Sequence, residues 1–292
     1  MPAGASVHKT LHCSQCRRPM AALPLEGHYG NTVHTDLCGP CRLVWLDELE
    51  AVNLSGLGWV RLLRRLQQAR GEALFSPTSA SAACDCPRCG ATLRPVHNLT
   101  VMGRFGELEC PRCRGGLAGF AALLARRGLV RAMTRRDLDA LKTENREPAC
   151  LNCGAGLERE ACARGLLDRD ARCSYCTSPL LVMDMPRFFT ALLSRHAEPV
   201  SAERLAWPCR ACGAPVEPTQ GAACVDCGHP VVVPALIDLT PLLDRAEPLL
   251  RGASARGARP HGSRLREQRG DYRATGLYRL LLRLKDFVLN RS

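Results

Sequence analysis

Apolar residues recur at helical spacing after several polar, turn-rich stretches of this chain. The first run extends from about Leu43 to Gln68 and carries Leu49, Val52, Leu57, Val60, Leu63 and Leu66. This spacing predicts a helix that Gly56 and Gly58 break in two. The second half is amphipathic and basic. We expect it to pack Trp59, Leu62, Leu63 and Leu66 on its own CxxC unit and to expose its arginines, with a nucleic-acid-binding face as the alternative.

Two further helical patterns follow in the middle of the chain. The stretch from Leu117 to Leu141 predicts a helix that stops at Gly128. A short second helix then begins with Thr134 as N-cap and Asp137 at the third helical position. Later, Pro186 can open a helix that contains Phe188, Phe189, Leu192 and Leu193. We expect the two aromatic rings to make core contacts.

The end of the chain is its most basic part. From Arg251 onward, 11 Arg or Lys residues stand against three acidic ones, a net +8 out of the +12 of the whole chain. Residues 251–269 are rich in Gly, Ser and Arg, which predicts flexibility. Residues 271–290 then predict an amphipathic basic helix. It would fold back on the protein, dock on a partner protein or, as a less favoured alternative, lie on an anionic membrane surface.

No stretch reaches the roughly 20 apolar residues that a membrane span needs. The closest run, Val231 to Leu243, is interrupted by Pro234, Asp238 and Pro241. The first 12 residues also lack the apolar core of a signal peptide. We therefore expect a soluble, cytoplasmic protein.

The spacing of the cysteines indicates that small repeated units lie between these helices. Of the 18 cysteines, 16 occur as eight CxxC pairs, and the gaps between successive pairs alternate between short and long: 21, 44, 20, 36, 19, 32 and 11 residues. This alternation favours four sequential sets over an interleaved arrangement. The sets are Cys13, Cys16, Cys38 and Cys41; Cys86, Cys89, Cys110 and Cys113; Cys150, Cys153, Cys173 and Cys176; and Cys209, Cys212, Cys224 and Cys227.

Four cysteines in two CxxC pairs indicate a structural Zn²⁺ site, because four thiolates complete the tetrahedral coordination of that ion. We expect four structural zinc ions. A disulfide framework and thioredoxin-like redox chemistry are the less favoured alternatives, and iron in a rubredoxin-like site has the same ligand set. Cys84 and Cys162 are left over and are expected to be small buried thiols, although Cys84 could replace Cys86 as a ligand. His229 could replace a ligand of the last set.

Each CxxC unit is too short to be stabilised by burial alone, which is the size range where metals substitute for a core. The expected fold class is a small metal-stabilised α+β protein with four tandem zinc ribbons, each a short antiparallel β unit followed by helix, and a C-terminal amphipathic helix. The expected segments are 1–70, 84–143, 148–197 and 205–250 for the ribbons with their helices, and 251–292 for the basic end. Replacing Cys86 and Cys89 with serine should then unfold only the second unit.

The stretch CGPCRLVWLDELE resembles a bacterial zinc-ribbon family named for its similarity to the ribbon of transcription factor TFIIB. In that family the second CxxC hook runs directly into a Trp-Leu-Asp and Glu-Leu segment. The resemblance covers about forty residues, clearest from Cys13 to Glu50, and implies that Cys13, Cys16, Cys38 and Cys41 are zinc ligands. It also implies that Trp45, Leu46, Asp47 and Glu48 start the following helix. Arg42 and Leu43 depart from the family, which often has glycine and a small or β-branched residue there.

Two function classes fit these features. Four thiolates leave no open metal position for catalysis, and the chain has no nucleophile elbow, phosphate loop or H-E-x-x-H motif, so we expect neither an enzyme nor a small-molecule substrate. The favoured class is a protein-interaction scaffold or adaptor. The alternative is a nucleic-acid-binding protein that uses arginine clusters. Aromatic residues make up only 4% of the chain, which leaves few platforms for stacking bases.

Overall fold

The first half of the chain forms an antiparallel sheet whose strand order is a mirror image about its centre. In the computed structural model, which describes residues 10–47, 50–69, 84–100, 103–168, 171–194, 205–216 and 221–257, this sheet has six strands. They are β1 (Ala21–Glu26), β2 (Thr32–Cys38), β3 (Leu43–Leu46), β4 (Arg94–Thr100), β5 (Gly103–Glu109) and β6 (Gly116–Gly119). The order is β1-β2-β3-β6-β5-β4, so each half repeats the other across the β3–β6 pair.

Four short strands and seven α-helices accompany this sheet in the described part of the chain. The strands β7 (Val130–Ala132) and β8 (Leu181–Met183) pair with each other, as do β9 (Trp207–Pro208) and β10 (Pro215–Val216). The helices are α1 (Glu50–Asn53), α2 (Gly56–Ala69), α3 (Phe120–Arg126), α4 (Arg135–Thr143), α5 (Arg159–Leu167), α6 (Met185–Leu193) and α7 (Thr240–Gly257). Among these residues, every helix is too short or too polar to span a bilayer.

The predicted helix over 43–68 begins later than expected. Leu43–Leu46 is a strand, in which all four residues are buried and which pairs with β2 on one side and β6 on the other. A short apolar run of this kind cannot be told from a buried helix by periodicity alone. The expected helix start at Trp45 and Leu46 is therefore wrong, Asp47 precedes α1, and Glu48 lies outside the described residues.

The break in this first helical region also lies elsewhere. It falls at Leu54 and Ser55, between α1 and α2, and both Gly56 and Gly58 are helical. Gly58 has a packing role instead, because a Cβ there would lie 2.1 Å from the carbonyl oxygen of Glu26. The glycine thus allows α2 to approach β1 closely.

The predicted helix over 117–141 is interrupted by strand structure. Leu117 belongs to β6, and β7 follows the stop at Gly128, whose φ is +66°. The second short helix is confirmed: Thr134 and Asp137 form a reciprocal capping box at the start of α4. The helix opened by Pro186 is confirmed as α6, with Phe188, Phe189 and Leu192 buried and Asp184 as its N-cap.

The last described helix extends beyond the expected end of the fourth segment. Helix α7 continues to Gly257, and Leu250 and Ala253 are buried, so residues 251–257 are helical rather than a flexible linker. The predicted C-terminal amphipathic helix over 271–290 lies outside the described residues.

One large hydrophobic core joins parts of the chain that the cysteine spacing would separate. It contains buried residues of α2, α3, α6 and α7, including Leu63, Phe120, Phe188 and Leu243. Trp59, Leu62, Leu63 and Leu66 of α2 are buried in this core, as expected. Described residues up to Ser254 make one compact unit. The division into the segments given above stays a prediction, but the first two do not form separate sheets.

Candidate metal centres

All eight CxxC pairs adopt the same hairpin geometry. In each, the residue before the first cysteine pairs antiparallel with the residue six positions after that cysteine. The eight pairs are His12 with Pro19, Leu37 with Val44, Asp85 with Thr92, Glu109 with Gly116, Ala149 with Gly156, Arg172 with Pro179, Pro208 with Pro215 and Ala223 with Pro230. We call each of these hairpin tips a knuckle.

The residue after the second cysteine of every knuckle has a positive φ. The eight residues are Arg17, Arg42, Gly90, Arg114, Gly154, Thr177, Gly213 and Gly228, with φ between 53° and 76°. In every knuckle except the one that begins at Cys38, the amide of this residue donates to the carbonyl of the first cysteine at 2.7 to 2.9 Å. Glycine adopts this conformation without a Cβ penalty, and only four of the eight are glycine. The tight turn after Cys41 therefore forms even though Arg42 occupies this position.

Facing knuckles bring four sulfurs together in each predicted set. Within each set the sulfur atoms lie within 4.8 Å of one another, and sulfurs of opposite knuckles lie side by side. Examples are Cys89 Sγ with Cys110 Sγ at 3.5 Å and Cys153 Sγ with Cys173 Sγ at 3.7 Å. A zinc tetrahedron with Zn–S bonds of about 2.3 Å has sulfur–sulfur edges of about 3.8 Å. The sulfur positions fit that ion, and we number the sets as centres one to four.

The same distances show that no disulfide joins these sulfurs. A disulfide has an S–S length of about 2.05 Å, and all 18 cysteines are free thiols. Backbone amides point at several sulfurs instead, as for Cys86 Sγ, which accepts from the amides of Arg88 and Cys89 at 3.4 Å. Such amide donors favour the thiolate that a metal requires.

Burial opposes charge on these sulfurs unless a cation is present. Burial raises the pKa of the Cys41 thiol to about 12 and also raises that of Cys86. Metal ligation requires the deprotonated form, so metal binding and proton release at these thiols are coupled.

Comparison of the chain with protein families, with curated proteins and with solved structures finds no match. The four centres are consistent with zinc-ribbon-like motifs. The resemblance to the TFIIB-type family rests on the local residues alone and stays a prediction.

Centres one and two interlock. Ser14 Oγ, in a knuckle of centre one, donates to the carbonyl of Asp85 at 2.5 Å. Arg88, in a knuckle of centre two, pairs with Asp47 directly after β3. Both centres share one hydrophobic cluster around the buried Trp45. Gly115 lies under that ring, since a Cβ there would meet the ring at 2.2 Å. The two centres are therefore packed as one block.

The sequence predicts that five arginines next to the CxxC pairs offset the formal charge of −2 on four thiolates and Zn²⁺. The five arginines are Arg17, Arg18, Arg88, Arg112 and Arg114. Among them, Arg88 pairs with Asp47, and Arg17 lies 3.9 Å from Asp85. A role in balancing the metal centres stays a prediction for all five.

Centre three is linked to helix α3 by one amide side chain. Asn152 lies between Cys150 and Cys153 and is buried. Its Oδ1 accepts from the Ala121 amide at 3.0 Å, in the first turn of α3, and its Nδ2 donates to Cys176 Sγ at 3.7 Å. The side chain thus satisfies an orphan helix amide and a sulfur at the same time.

Centre four is held by a carboxylate from another part of the chain. The side chain of Glu144, the C-cap of α4, is buried and pairs with His229 at 3.0 Å. It also lies 3.8 Å from Arg210, which is in the other knuckle of centre four, and 2.8 Å from Arg146. His229 therefore contacts Glu144, and it does not belong to the group of four sulfurs.

The two remaining cysteines are buried and lie outside the four sulfur groups. Cys84 lies in the cluster shared by centres one and two, where Cys86 belongs to the sulfur group. Cys162 is on α5, and its thiol pKa is raised by burial. Both match the expected small buried thiol.

Sequence reasoning did not single out Asn152 or Glu144. An asparagine inside a CxxC pair does not by itself indicate a contact. Its role becomes visible only once the fold brings the Ala121 amide of α3 close to it. Glu144 lies between the predicted segments 84–143 and 148–197. Both residues act between segments far apart in sequence, and no local pattern marks such a contact.

Proposed function

We propose that this protein is a non-catalytic zinc-binding protein whose four structural zinc ions hold an interaction scaffold. The observation that carries the proposal is the grouping of 16 cysteine sulfurs into four sets with the spacing of a zinc tetrahedron. Four thiolates per ion leave no position for water or substrate. The role supported by this chemistry is structural, and we propose no reaction and no small-molecule substrate.

The pairing of arginines supports a scaffold over a nucleic-acid interface. On α2, Arg61 pairs with Glu26, and Arg64 contacts both Asp244 and Glu247. At the end of α3, Arg126 pairs with Glu107, and on β7 Arg131 pairs with Asp137. An arginine that already contacts a carboxylate has less charge to offer to phosphate. These ion pairs join helices and strands of one fold, so the paired arginines have a structural role that does not require nucleic acid.

Nucleic-acid binding is the second candidate, and one observation favours it. The net charge of +8 over residues 251–292 is large for so short a segment, and phosphate contacts depend on clustered positive charge. In this case binding would be sensitive to salt and indifferent to base sequence. Contact of the same segment with an anionic membrane surface is a less favoured possibility.

A cytoplasmic location fits free thiols, because a reducing compartment keeps CxxC pairs available for metal. This location is part of the proposal.

Metal content per chain tests the proposal. We expect close to four zinc ions on protein purified without added metal, measured by elemental analysis, and no co-purified nucleic acid by absorbance ratio. Cys84→Ala is the matched control, because it removes a buried thiol outside the four groups and should leave the zinc content unchanged. Bound nucleic acid with four zinc ions would favour the second candidate. Iron, or far fewer metal ions, would contradict the structural-zinc proposal.

A further inference from the structure

The four centres share one sulfur geometry and differ in how far solvent reaches it. In centre three all four cysteines are buried, and in centre one three are buried. Centre two has two buried and two partly exposed cysteines. In centre four Cys212 and Cys227 are exposed, one from each knuckle. Among the groups that the structure describes, centre four alone has two cysteines that are exposed rather than partly exposed.

Each exposed sulfur of centre four has a buried sulfur of the opposite knuckle beside it. Cys212 Sγ lies 3.7 Å from Cys224 Sγ, and Cys227 Sγ lies 3.6 Å from Cys209 Sγ. Solvent-accessible thiolates next to a second cysteine are the arrangement in which oxidation continues to a disulfide. Centre three has the same cross-knuckle distances, 3.6 and 3.7 Å, without the exposure. Centres three and four therefore have the same sulfur–sulfur distances and differ in how exposed their sulfurs are to solvent.

We propose that centre four is a modification site for small thiol-directed oxidants, with Cys212 and Cys227 as the first residues to react. The inference rests on the proposed function, since it takes the sulfurs to be metal-bound thiolates. Oxidation there withdraws ligands from one centre and leaves the other three intact.

The chemistry balances with hydrogen peroxide as the oxidant. The thiolate of Cys212 attacks one peroxide oxygen, the O–O bond breaks, and a sulfenic acid and hydroxide form. The thiolate of Cys224 then attacks the sulfenic sulfur, which forms the S–S bond and expels a second hydroxide. Two electrons leave the two sulfurs and reduce one peroxide. The pair of Cys227 and Cys209 can react in the same way with a second peroxide, and a thiol reductant reverses both steps.

Graded oxidation of the zinc-loaded full chain tests the proposal. We would add hydrogen peroxide in steps, follow released zinc with a colorimetric chelator, and map disulfides by differential alkylation and mass spectrometry. We expect the first zinc ion to leave on the order of tenfold faster than the others. The accompanying disulfides should lie within residues 209–227, and dithiothreitol with added zinc should restore the centre. Centre three should be the last to react.

A paired variant provides the control. Cys212→Ser with Cys227→Ser should yield a chain with three zinc ions that lacks the fast phase of release, while Cys162→Ala should retain it. Release of all ions at one rate, or earliest disulfides in centre three, would overturn the inference. The disulfide map of the unaltered chain tests the proposal even if the double variant does not fold. If the purified chain holds no zinc at the start, the proposed function has failed; if it holds four and centre four is not first, only this inference has failed.

Discussion

Eight residues occupy the same backbone position directly after a knuckle, and half of them are not glycine. Left-handed backbone costs a residue with a Cβ roughly 1 kcal/mol. Thr177 is the most strained of the four, because it is β-branched and has φ of 57°. Gly90 is the matched opposite, since its φ is 72° and nothing lies within 4 Å of an added Cβ.

Substitutions at these two positions should shift stability in opposite directions. Gly90→Ala should lower the free energy of unfolding by about 1 kcal/mol, because it adds only backbone strain. Thr177→Gly should raise the free energy of unfolding by about 0.5 kcal/mol. The substitution relieves backbone strain, and the greater conformational entropy of glycine in the unfolded chain cancels part of that gain. Urea unfolding at saturating zinc measures both. Equal effects of the same sign would contradict the shared knuckle geometry.

Asn152 should matter to centre three through two separate bonds. Asn152→Ala loses the bonds to the Ala121 amide and to Cys176 Sγ, and should lower stability by about 1–3 kcal/mol because a buried helix amide is left unpaired. Asn152→Asp keeps the acceptor for the amide, but it replaces the donor with a negative charge beside thiolates. We expect Asp to weaken zinc retention at centre three more than it weakens α3. Competition with a chelator, read together with helicity, separates the two effects.

Glu50 links stability to pH. Burial raises the pKa of its carboxyl to about 7, with the nearby Asp47 and Asp36 adding to the shift, while the Asp47 amide opposes it. The folded state then binds more protons than the unfolded state between the ordinary pKa of 4.5 and about 7. This contribution to stability is present at low pH and is lost as pH rises through that window.

Glu50→Gln tests this linkage, because glutamine cannot ionise and still accepts from the Asp47 amide. The variant should be more stable than the natural chain at pH 8 and about equal to it at pH 5. The measurement is the difference between the two proteins in urea unfolding at each pH, both saturated with zinc so that metal effects cancel. An advantage of the variant that is the same at both pH values would contradict a titrating Glu50.

At the scale of elements, the β3–β6 pair changes the expectation of separate modules. Leu43 pairs with Gly119 and Leu46 with Gly116, and centres one and two share the cluster around Trp45. Loss of one centre therefore removes packing from the other. We therefore no longer expect serine at Cys86 and Cys89 to disturb only the second unit. We expect centre one to be affected as well.

Cys86→Ser with Cys89→Ser should lower the zinc content by about two ions rather than one, since centre one loses its packing partner. The control is Cys209→Ser with Cys212→Ser, which removes a centre whose cysteines share no hydrophobic cluster with the cysteines of another described centre. It should lower the content by one. A loss of one ion in both variants would restore the separate-module view.

Local signals predicted some elements well. The capping residues Thr134 and Asp137 and the opening Pro186 placed α4 and α6, because caps depend on near neighbours in the chain. The CxxC spacing indicated which sulfurs meet. Leu43–Leu46 misled the prediction because one of its two partner strands, β6, lies seventy or more residues away, and a pairing of that kind leaves no local pattern. The contacts of Asn152 and Glu144 were not predicted for the same reason, because their partners are distant in sequence.

At the scale of the whole molecule, the basic end of the chain is the part expected to carry partner or polyanion binding. A truncation should follow Gly257, because Leu250 and Ala253 of α7 are buried and a cut at Arg251 would remove packed structure. We expect removal of 258–292 to abolish most affinity for a DNA duplex or a captured partner and to leave zinc content unchanged. Fluorescence anisotropy with the duplex and elemental analysis check both parts. Undiminished binding by the truncated chain would assign the interaction to the knuckles and helices.

Eight interchangeable knuckles also pose a sorting problem during folding. Any knuckle can offer two sulfurs to any other, so eight of them can be matched in roughly a hundred ways, and the native fold uses one. In every native centre the two knuckles are consecutive along the chain, and closing a short loop costs less entropy than closing a long one. Synthesis from the N-terminus would present the knuckles in that same order. A chain refolded from denaturant with excess metal meets all eight at once, and mismatched centres should then be its main kinetic trap.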